Sequence, residues 1–206
     1  VQCDSVSYGA VVEAADKDFG RRVFPSYDFA SAKTVVSLNA DFLGTWGDTV
    51  WYTTEWAKTR RPEDGAMSVL HAFESGMSLT GSNADRRTRV KPSQQGNVAA
   101  ALLNEINGQG HAAGLDEATL AGVKAAAADL KAAGANGLVV AGDNDVATQC
   151  IVNAINAALG ALGTTVDFNE KAALHQGDDA AFATLVEDMK AGRVSALIVD
   201  GTNPSY

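Results

Sequence analysis

A fold is suggested first by Lys33-Thr34-Val35-Val36-Ser37-Leu38-Asn39-Ala40-Asp41, in which a short β-rich run ends in small polar residues. Two later stretches follow the same plan: Gly137-Leu138-Val139-Val140-Ala141-Gly142-Asp143-Asn144-Asp145 and Val194-Ser195-Ala196-Leu197-Ile198-Val199-Asp200-Gly201-Thr202-Asn203-Pro204. Apolar runs without polar alternation are typical of strands covered on both faces, as in a parallel sheet. The polar residues after each run are typical of the loop at a strand's carboxyl end. These stretches therefore predict three parallel strands.

Helices are predicted around these strands. Apolar side chains recur at helix spacing in residues 97–106, 120–130, 151–162 and 182–189. Asp178 or Asp179 can cap the last of these helices, and the side chains expected to face inward from it are Phe182, Leu185, Val186 and Met189. Two further strands are predicted at Met67–Phe73 and Thr164–Phe168.

The order of these elements predicts the fold class. Strands that alternate with helices of ten or more residues indicate right-handed βαβ units. We therefore predict an α/β fold with three-layer, Rossmann-like parallel sheets and helices on both faces. The composition shifts at a Gly/Ala-rich joint, residues 107–114. This joint predicts a first α/β half at residues 1–106 and a second at residues 115–206, the second truncated at its end.

Composition and charge exclude several classes of function. The 206 residues include 16 basic and 25 acidic side chains, for a net charge of −9, which disfavours nucleic acid as a partner. No run approaches the roughly 18 apolar residues of a membrane span, so direct membrane insertion is not expected. Cys3 and Cys150 are too few for an iron–sulfur cluster or a Cys-rich zinc site. They could form one disulfide in an exported chain, but their spacing does not decide this.

The two ends of the sequence suggest a larger parent. The sequence begins at Val1 without a signal segment, and it stops at residues 202–206, directly after an apolar run. We expect it to be an excised piece of a longer polypeptide.

The residue types that usually carry catalysis form no recognisable constellation. His71, His111 and His175 have no second histidine at metal-ligand spacing. His71 lies in a predicted strand, where a buried, hydrogen-bonded structural role is expected, and the other two are expected to be solvated. A nucleophile elbow and a Walker lysine loop are absent from the sequence. No catalytic residue and no metal ligand are therefore assigned.

An aromatic cluster follows the first strand-end loop, and it leaves two interpretations open. The cluster could pack a loop and a helix onto the sheet, or it could form a platform for a ring-bearing ligand or a partner protein. Its members are Phe42, Trp46, Trp51, Tyr52 and Trp56.

The strand-end loops are the best candidates for a binding site. In open parallel sheets, ligands lie beyond the carboxyl ends of the strands. None of these loops has the Gly-x-Gly-x-x-Gly pattern, so ordinary nicotinamide or flavin binding is not indicated. Residues expected to line such a crevice are Asn39, Asp41, Gly44, Thr45, Gly142, Asn144, Gly201, Thr202 and Asn203.

Several stretches, taken in order, resemble the molybdopterin oxidoreductase family. Residues 68–103 run from a strand through Glu74 and Ala84-Asp85 to Arg89-Val90-Lys91-Pro92, similar to the family's strand, Asp-Pro-Arg, Thr-x-Thr-Ala, Ala-Asp and arginine/proline turn. Residues 196–204 look like its late strand followed by Gly-x-Asn-Pro, and residues 139–163 like its middle strand, Gly loop and Leu-Gly-x-x-Gly helix end. The segment at residues 23–28 resembles the one before the family's first cofactor-contacting strand.

One branch of the family is more similar. Residues 37–46, and Glu74 with Leu79-Thr80-Gly81, look like the molybdopterin-oxidoreductase-like iron–sulfur subunit of alternative complex III, a branch that includes TAT-variant-translocated molybdopterin oxidoreductases. The resemblance implies a peripheral subunit on the periplasmic side of the inner membrane, in a complex that oxidises quinol. Its implied partners are the rest of the parent polypeptide and other subunits of the redox complex. In this branch the domain keeps the fold but is thought not to hold molybdenum.

The resemblance also implies which residues would meet a cofactor. Members that bind molybdopterin guanine dinucleotide usually have Gly-x-Asn-Pro after the first strand and Asp-Pro-Arg after the next, where this chain has Asn39-Ala40-Asp41-Phe42 and Glu74-Ser75-Gly76. Only Gly201-Thr202-Asn203-Pro204 keeps the binding pattern. Iron–sulfur clusters are implied only in parts of the parent chain that this sequence lacks. The implied cofactor-binding residues are Asn39, Asp41, Glu74, Thr80, Gly142, Asn144, Gly201, Thr202 and Asn203.

Three hypotheses about function follow. The first is a scaffold domain with degraded cofactor loops, in a molybdopterin-oxidoreductase-like subunit of a respiratory complex. The second is an active molybdenum oxidoreductase that binds molybdopterin guanine dinucleotide. The third, from outside the family, is a two-lobed module that binds a small molecule in a cleft at residues 107–114.

Overall fold

The computed structural model describes residues 1–4, 6–110, 114–169, 175, 177–201 and 203. Within these ranges the chain has an α/β, Rossmann-like fold, in which helices flank a four-stranded parallel sheet, as the sequence predicts. The elements are, in chain order, α1 (Gly9–Phe19), β1 (Ser26–Tyr27), β2 (Thr34–Leu38), α2 (Thr49–Lys58), β3 (Val69–Glu74), α3 (Leu79–Ser82), β4 (Arg86–Arg89), α4 (Gln95–Asn107), α5 (Glu117–Ala133), β5 (Gly137–Ala141), α6 (Val146–Leu159), β6 (Val166–Asp167) and α7 (Asp179–Lys190).

The central sheet has the strand order β4-β3-β2-β5, and all its neighbouring strands are parallel. Val36 in the middle of β2 lies opposite His71 on β3 and Val139 on β5. Every residue of β2 and β5 is buried, which explains why their sequences carry no polar alternation. Strands from residues 1–106 and from residues 115–206 are thus direct neighbours in one sheet.

The core lies in two layers, one on each face of the sheet. On one face, Val35 and Val140 pack with α1 and with the aromatic residues that follow β2. On the other face, Val36 and Val139 pack with the apolar sides of α4, α5 and α6. Successive strand residues point to opposite faces, so each strand contributes to both layers.

The aromatic cluster belongs mainly to the first layer. Phe42, Trp46, Tyr52 and Trp56 are each less than a tenth exposed. Their rings contact one another and Phe29, which stacks on Phe42 with 4.3 Å between ring centroids. The packing alternative therefore describes four of the five residues. The exception is Trp51, which is 53% exposed.

The free edge of β5 is closed by side chains rather than by another strand. Asn156 of α6 accepts a hydrogen bond from Val139 N through Oδ1 at 3.0 Å and donates one to Val139 O through Nδ2 at 2.9 Å. Gln149 Nε2 donates to Ala141 O at 3.0 Å, and Thr165 Oγ1 donates to Gly137 O at 2.7 Å. We call Gln149, Asn156 and Thr165 the polar edge cap. All three are buried.

The predicted strand at Val194–Val199 is wrong, because these residues form no strand and lie outside the sheet. Ile198 is 94% exposed and Leu197 is 51% exposed. A β-rich run forms a strand only where it finds unpaired backbone groups on a neighbour. The polar edge cap already bonds the outward groups of β5, so an added strand would have to displace three buried side chains.

Two other predicted elements differ from expectation. The predicted strand at Thr164–Phe168 is reduced to β6, which pairs antiparallel with β1 in a separate two-stranded sheet. Helix α7 forms where it is predicted, and Asp178 caps it by accepting from Ala181 N at 2.9 Å. However, Phe182, Leu185, Val186 and Met189 do not face inward into a core, because no residue of α7 is buried. Instead, these four side chains line an open groove that Leu197 and Ile198 also line.

Two further features bear on the sequence predictions. In the described part of the chain, no helix is both long enough and apolar enough to cross a membrane. Cys3 is exposed, Cys150 is half-buried, and both are free thiols.

Candidate functional site

The carboxyl ends of β2 and β5 are where an open α/β sheet of this order would hold a ligand. The chain passes from β2 to β3 on one side, and β5 lies on the other, so the strand order reverses at this boundary. Gly142 N donates to Leu38 O at 2.9 Å. A Cβ atom added to Gly142 would lie 2.2 Å from the carbonyl oxygen of Asn39. The two strand-end loops are therefore in direct backbone contact, with no gap between them at this point.

A side-chain hydrogen bond between Asn39 and Asp143 also joins these two loops. Asn39 has a left-handed backbone (φ 55°), and its N–H donates to Phe73 O at 2.8 Å. Burial raises the pKa of Asp143, and the charge of Asp145 adds to this effect, while a hydrogen bond from the Asn39 side chain acts against it. Gln149 Nε2 donates to the Asp143 carbonyl at 2.8 Å. The structure thus brings Asn39 and Gly142 together, as the sequence predicts for one crevice.

Asp41 links the loop after β2 to helix α3. Its carboxylate accepts from Thr80 N at 2.9 Å and from Thr45 Oγ1 at 3.3 Å. In return, Thr80 Oγ1 accepts from Leu43 N at 3.0 Å. Asp41 and Thr80 therefore form a reciprocal pair of contacts between two loops, and Thr80 is only 1% exposed.

Glu74, at the end of β3, is buried and fully engaged. Its carboxylate accepts from Arg87 Nε at 2.5 Å, from Ser78 Oγ at 2.6 Å and from Ser78 N at 3.3 Å. A Cβ atom added to Gly81 would lie 1.8 Å from Glu74 Oε1, so the glycine backbone of α3 covers this carboxylate closely. Glu74 therefore stabilises the loop that follows its own strand.

Replacing Glu74 with glutamine is expected to destabilise the fold by about 2 kcal/mol, because the buried side chain at position 74 then loses the charge-assisted hydrogen bonds that its carboxylate accepts from Arg87 and Ser78. Glu187→Gln is a matched control, since its ion pair with Lys190 is about two-thirds exposed on both sides and should cost almost nothing. Urea unfolding of both variants checks this prediction. Equal losses would contradict a buried role for Glu74.

The side chain of Asn144 contacts two helices rather than the Asn39 backbone. Asn144 Oδ1 accepts from Ala10 N at 2.9 Å, and its Nδ2 donates to Asp179 at 3.2 Å, so it caps α1 and meets the first turn of α7. Gly201 follows no strand, and it lines a groove of about 1030 Å³ that also reaches Thr45. Asn203 is likewise in irregular structure. Thr202 lies outside the described residues.

As placed here, the implied cofactor-binding residues do not fit molybdopterin guanine dinucleotide. The carboxylates of Asp41 and Glu74 already accept hydrogen bonds from neighbouring loops. Gly142 packs against the Asn39 backbone where a nucleotide would have to enter. In the described ranges, no group of three or more His, Cys, Asp or Glu side chains could hold a metal ion.

The histidines have structural surroundings. His71 is buried, and its Nε2 lies 2.8 Å from Asp129 Oδ2, in agreement with the structural role expected from the sequence. His175 is not solvated as expected, because its ring stacks on Tyr8 at 3.8 Å and it is half-buried. Loop glycines suggested exposure for His175, but the aromatic neighbour is distant in sequence. His111 lies outside the described residues.

His71 is expected to make stability depend on pH. Burial lowers its pKa below the usual 6.5, although the hydrogen bond to Asp129 opposes this. As the pH falls below about 6.5, the unfolded chain binds a proton that the folded chain excludes, so stability decreases by at most about 1.4 kcal/mol per pH unit. Above this range the group contributes no pH dependence. Urea unfolding of the wild type and His71→Gln between pH 8 and pH 5 checks this, and an equal slope in both proteins would contradict it.

The polar edge cap is the part of this region that the sequence predictions missed. Gln149 and Asn156 stand seven positions apart, on the buried side of α6 that also carries Val152. The sequence carries a signal for this cap, since two amide side chains lie on an otherwise apolar face of the helix. Buried amides need hydrogen-bond partners, so this pattern predicts that they bond groups of a neighbouring element.

No protein-family model matches this chain, and no curated protein is significantly similar to it.

Proposed function

We propose that the chain is a structural and partner-binding domain of a molybdopterin-oxidoreductase-like subunit, in a respiratory complex that oxidises quinol at the periplasmic side of the inner membrane. In this proposal its strand-end loops hold the fold together and bind no cofactor. The ordered resemblance of several sequence stretches motivates the family. The α/β fold is compatible with it, since the family's domains are of this class.

One observation carries the scaffold role. The two carboxylates that replace the family's usual loop residues, Asp41 and Glu74, are both used inside the chain. The Asp41 carboxylate accepts a hydrogen bond from Thr80 of α3. The Glu74 carboxylate accepts hydrogen bonds from Arg87 of β4 and from Ser78. Carboxylates that already accept hydrogen bonds from other loops of the chain are not free to accept them from a bound molecule. This supports a scaffold role for the domain rather than a cofactor-binding role.

Electrostatics support the same proposal. A dinucleotide cofactor carries phosphate charges, and a binding site normally offers it cations or free backbone N–H groups. Here the ends of β2 and β5 are followed by Asp41, Asp143 and Asp145, and Asp145 uses its carboxylate to cap α6 through Thr148 N at 2.8 Å. The rim of the sheet is therefore acidic where an anionic ligand would lie.

Elemental and nucleotide analysis tests this proposal. The chain, and the parent polypeptide that contains it, would be purified from cells grown with ample molybdate, and then assayed for molybdenum and for guanine nucleotide released by acid. We expect neither above the level of a blank preparation. One molybdenum and the matching nucleotide per chain would overturn the scaffold role and support an active oxidoreductase.

A further inference from the structure

The two edges of the central sheet are unlike. At β5, the outward backbone groups are bonded by the polar edge cap. At β4, Val90 N donates to Glu74 O at 3.0 Å. In a parallel ladder the facing groups alternate along the strand, so Arg86 and Thr88 also face β3, and the backbone N–H and C=O groups of Arg87 and Arg89 face outward.

No described residue pairs with this outer edge of β4. In the part of the chain that the structure describes, no strand lies beyond β4, and no hydrogen bond reaches the outward backbone groups of Arg87 and Arg89. The strand is largely exposed. An unpaired edge of this kind is a template for one more strand.

The same edge concentrates positive charge. Residues 86–91 hold Arg86, Arg87, Arg89 and Lys91, in a chain whose net charge is −9. Arg87 is engaged by Glu74, and Arg86 lies 3.5 Å from Asp129. Arg89 is exposed and has no ion pair with any described residue. It lies on the same sheet face as Arg87, two positions earlier.

We propose that the outer edge of β4 binds an extended, acidic segment of a partner protein, which joins the sheet as a fifth strand. The backbone of the segment pairs with the outward groups of Arg87 and Arg89, and a carboxylate of the segment lies opposite Arg89. The inference does not depend on the proposed function, because it follows from the unpaired edge and its charge alone.

A neighbouring cavity gives the segment room for a side chain. The cavity has a volume of about 370 Å³ and is lined by Arg87, Thr88 and Arg89 of the strand and by Asp116, Ala118 and Thr119 at the start of α5. The Asp116 carboxylate there is occupied, since it accepts from Thr119 N at 2.7 Å.

A second copy of this chain is not expected to pair with the outer edge of β4. Pairing two β4 edges would place arginines of one copy beside arginines of the other, and like charges on opposed strands destabilise a sheet. An acidic segment reverses the sign of that interaction. Charge therefore selects the class of partner, and the backbone groups select its extended conformation.

A synthetic peptide of alternating glutamate and valine tests the proposal, with binding to the intact chain measured by fluorescence anisotropy. We expect saturable binding that Arg89→Glu weakens about tenfold or more, because the substitution reverses the charge opposite the carboxylate. Arg21→Glu is the matched control, since Arg21 is also exposed and has no ion pair with a described residue. It should leave the affinity within about twofold. Circular dichroism verifies that both variants fold.

Amide hydrogen exchange separates strand addition from simple charge attraction. The peptide should slow exchange at the N–H groups of Arg87 and Arg89, and a peptide methylated on alternate backbone nitrogens should not bind. Absence of binding, equal weakening by both arginine variants, or binding without protection of these two amides would each overturn the proposal. The methylated peptide is tested on the wild type, so this outcome does not depend on the stability of a variant.

Discussion

Alanine at position 142 is expected to destabilise the chain by about 3 kcal/mol, at the upper end of the cost of overpacking a well-packed interior. The added Cβ atom would lie 2.2 Å from Asn39 O, 2.9 Å from Asn39 C and 3.1 Å from Ala40 Cα. All three are backbone atoms, so no side-chain rotation can relieve the contact. The backbone at the ends of β2 and β5 would have to separate, against the Gly142 N–H bond to Leu38 O.

Gly76→Ala provides the matched control for this substitution. A Cβ atom at Gly76 would meet nothing within 4 Å, and this glycine does not have a left-handed backbone. The loss for Gly76→Ala should be within about 0.5 kcal/mol of zero. Urea unfolding measures both. If Gly142→Ala were equally neutral, the two strand-end loops would have space between them, and the scaffold role would lose its structural support.

Replacing Asn156 with alanine is expected to cost about 3–5 kcal/mol, because it leaves a buried N–H and a buried C=O of Val139 without partners. Val139 is completely buried, so water cannot reach these groups in the folded chain. The higher helix propensity of alanine acts in the opposite direction and is smaller, at about 0.5 kcal/mol. The expected loss is therefore large for a single polar residue on a helix.

Asn153→Ala tests the same change in residue type on the same helix. Asn153 is only half-buried, and its amide contacts Asp18 at 2.8 Å on the surface. Its removal should cost less than about 1 kcal/mol. Chemical unfolding of the two variants, with hydrogen exchange at the Val139 amide, measures the difference. Similar losses for Asn153→Ala and Asn156→Ala would mean that the edge of β5 is not closed by Asn156.

The elements that the sequence predicts well are those whose signal is local. The strands at β2, β3 and β5 are apolar runs followed by small polar residues, and the ends of each lie within two positions of the prediction. The run at Val194–Val199 carries the same local signal and forms no strand. The difference lies at the edge of β5, where Gln149, Asn156 and Thr165 already bond the outward backbone groups.

The candidate site shows the same division. The positions of Asn39 and Gly142 follow from strand order, because parallel neighbours end at the same edge of a sheet. The roles of Asp41 and Glu74 do not follow, since residue type alone does not tell whether a carboxylate points outward to a ligand or inward to a loop. Their partners, Thr80 and Arg87, lie 39 and 13 positions away and are brought near only by the fold.

The polar edge cap has a consequence for assembly. Identical molecules can join into a continuous sheet only if both edge strands of each molecule can pair with a neighbour. In this sheet the edge at β5 is blocked, because its outward backbone groups are bonded by Gln149, Asn156 and Thr165. The opposite edge, β4, carries arginines that would repel the arginines of a second copy. Repeated strand-to-strand pairing of identical domains is therefore disfavoured at both edges of the sheet.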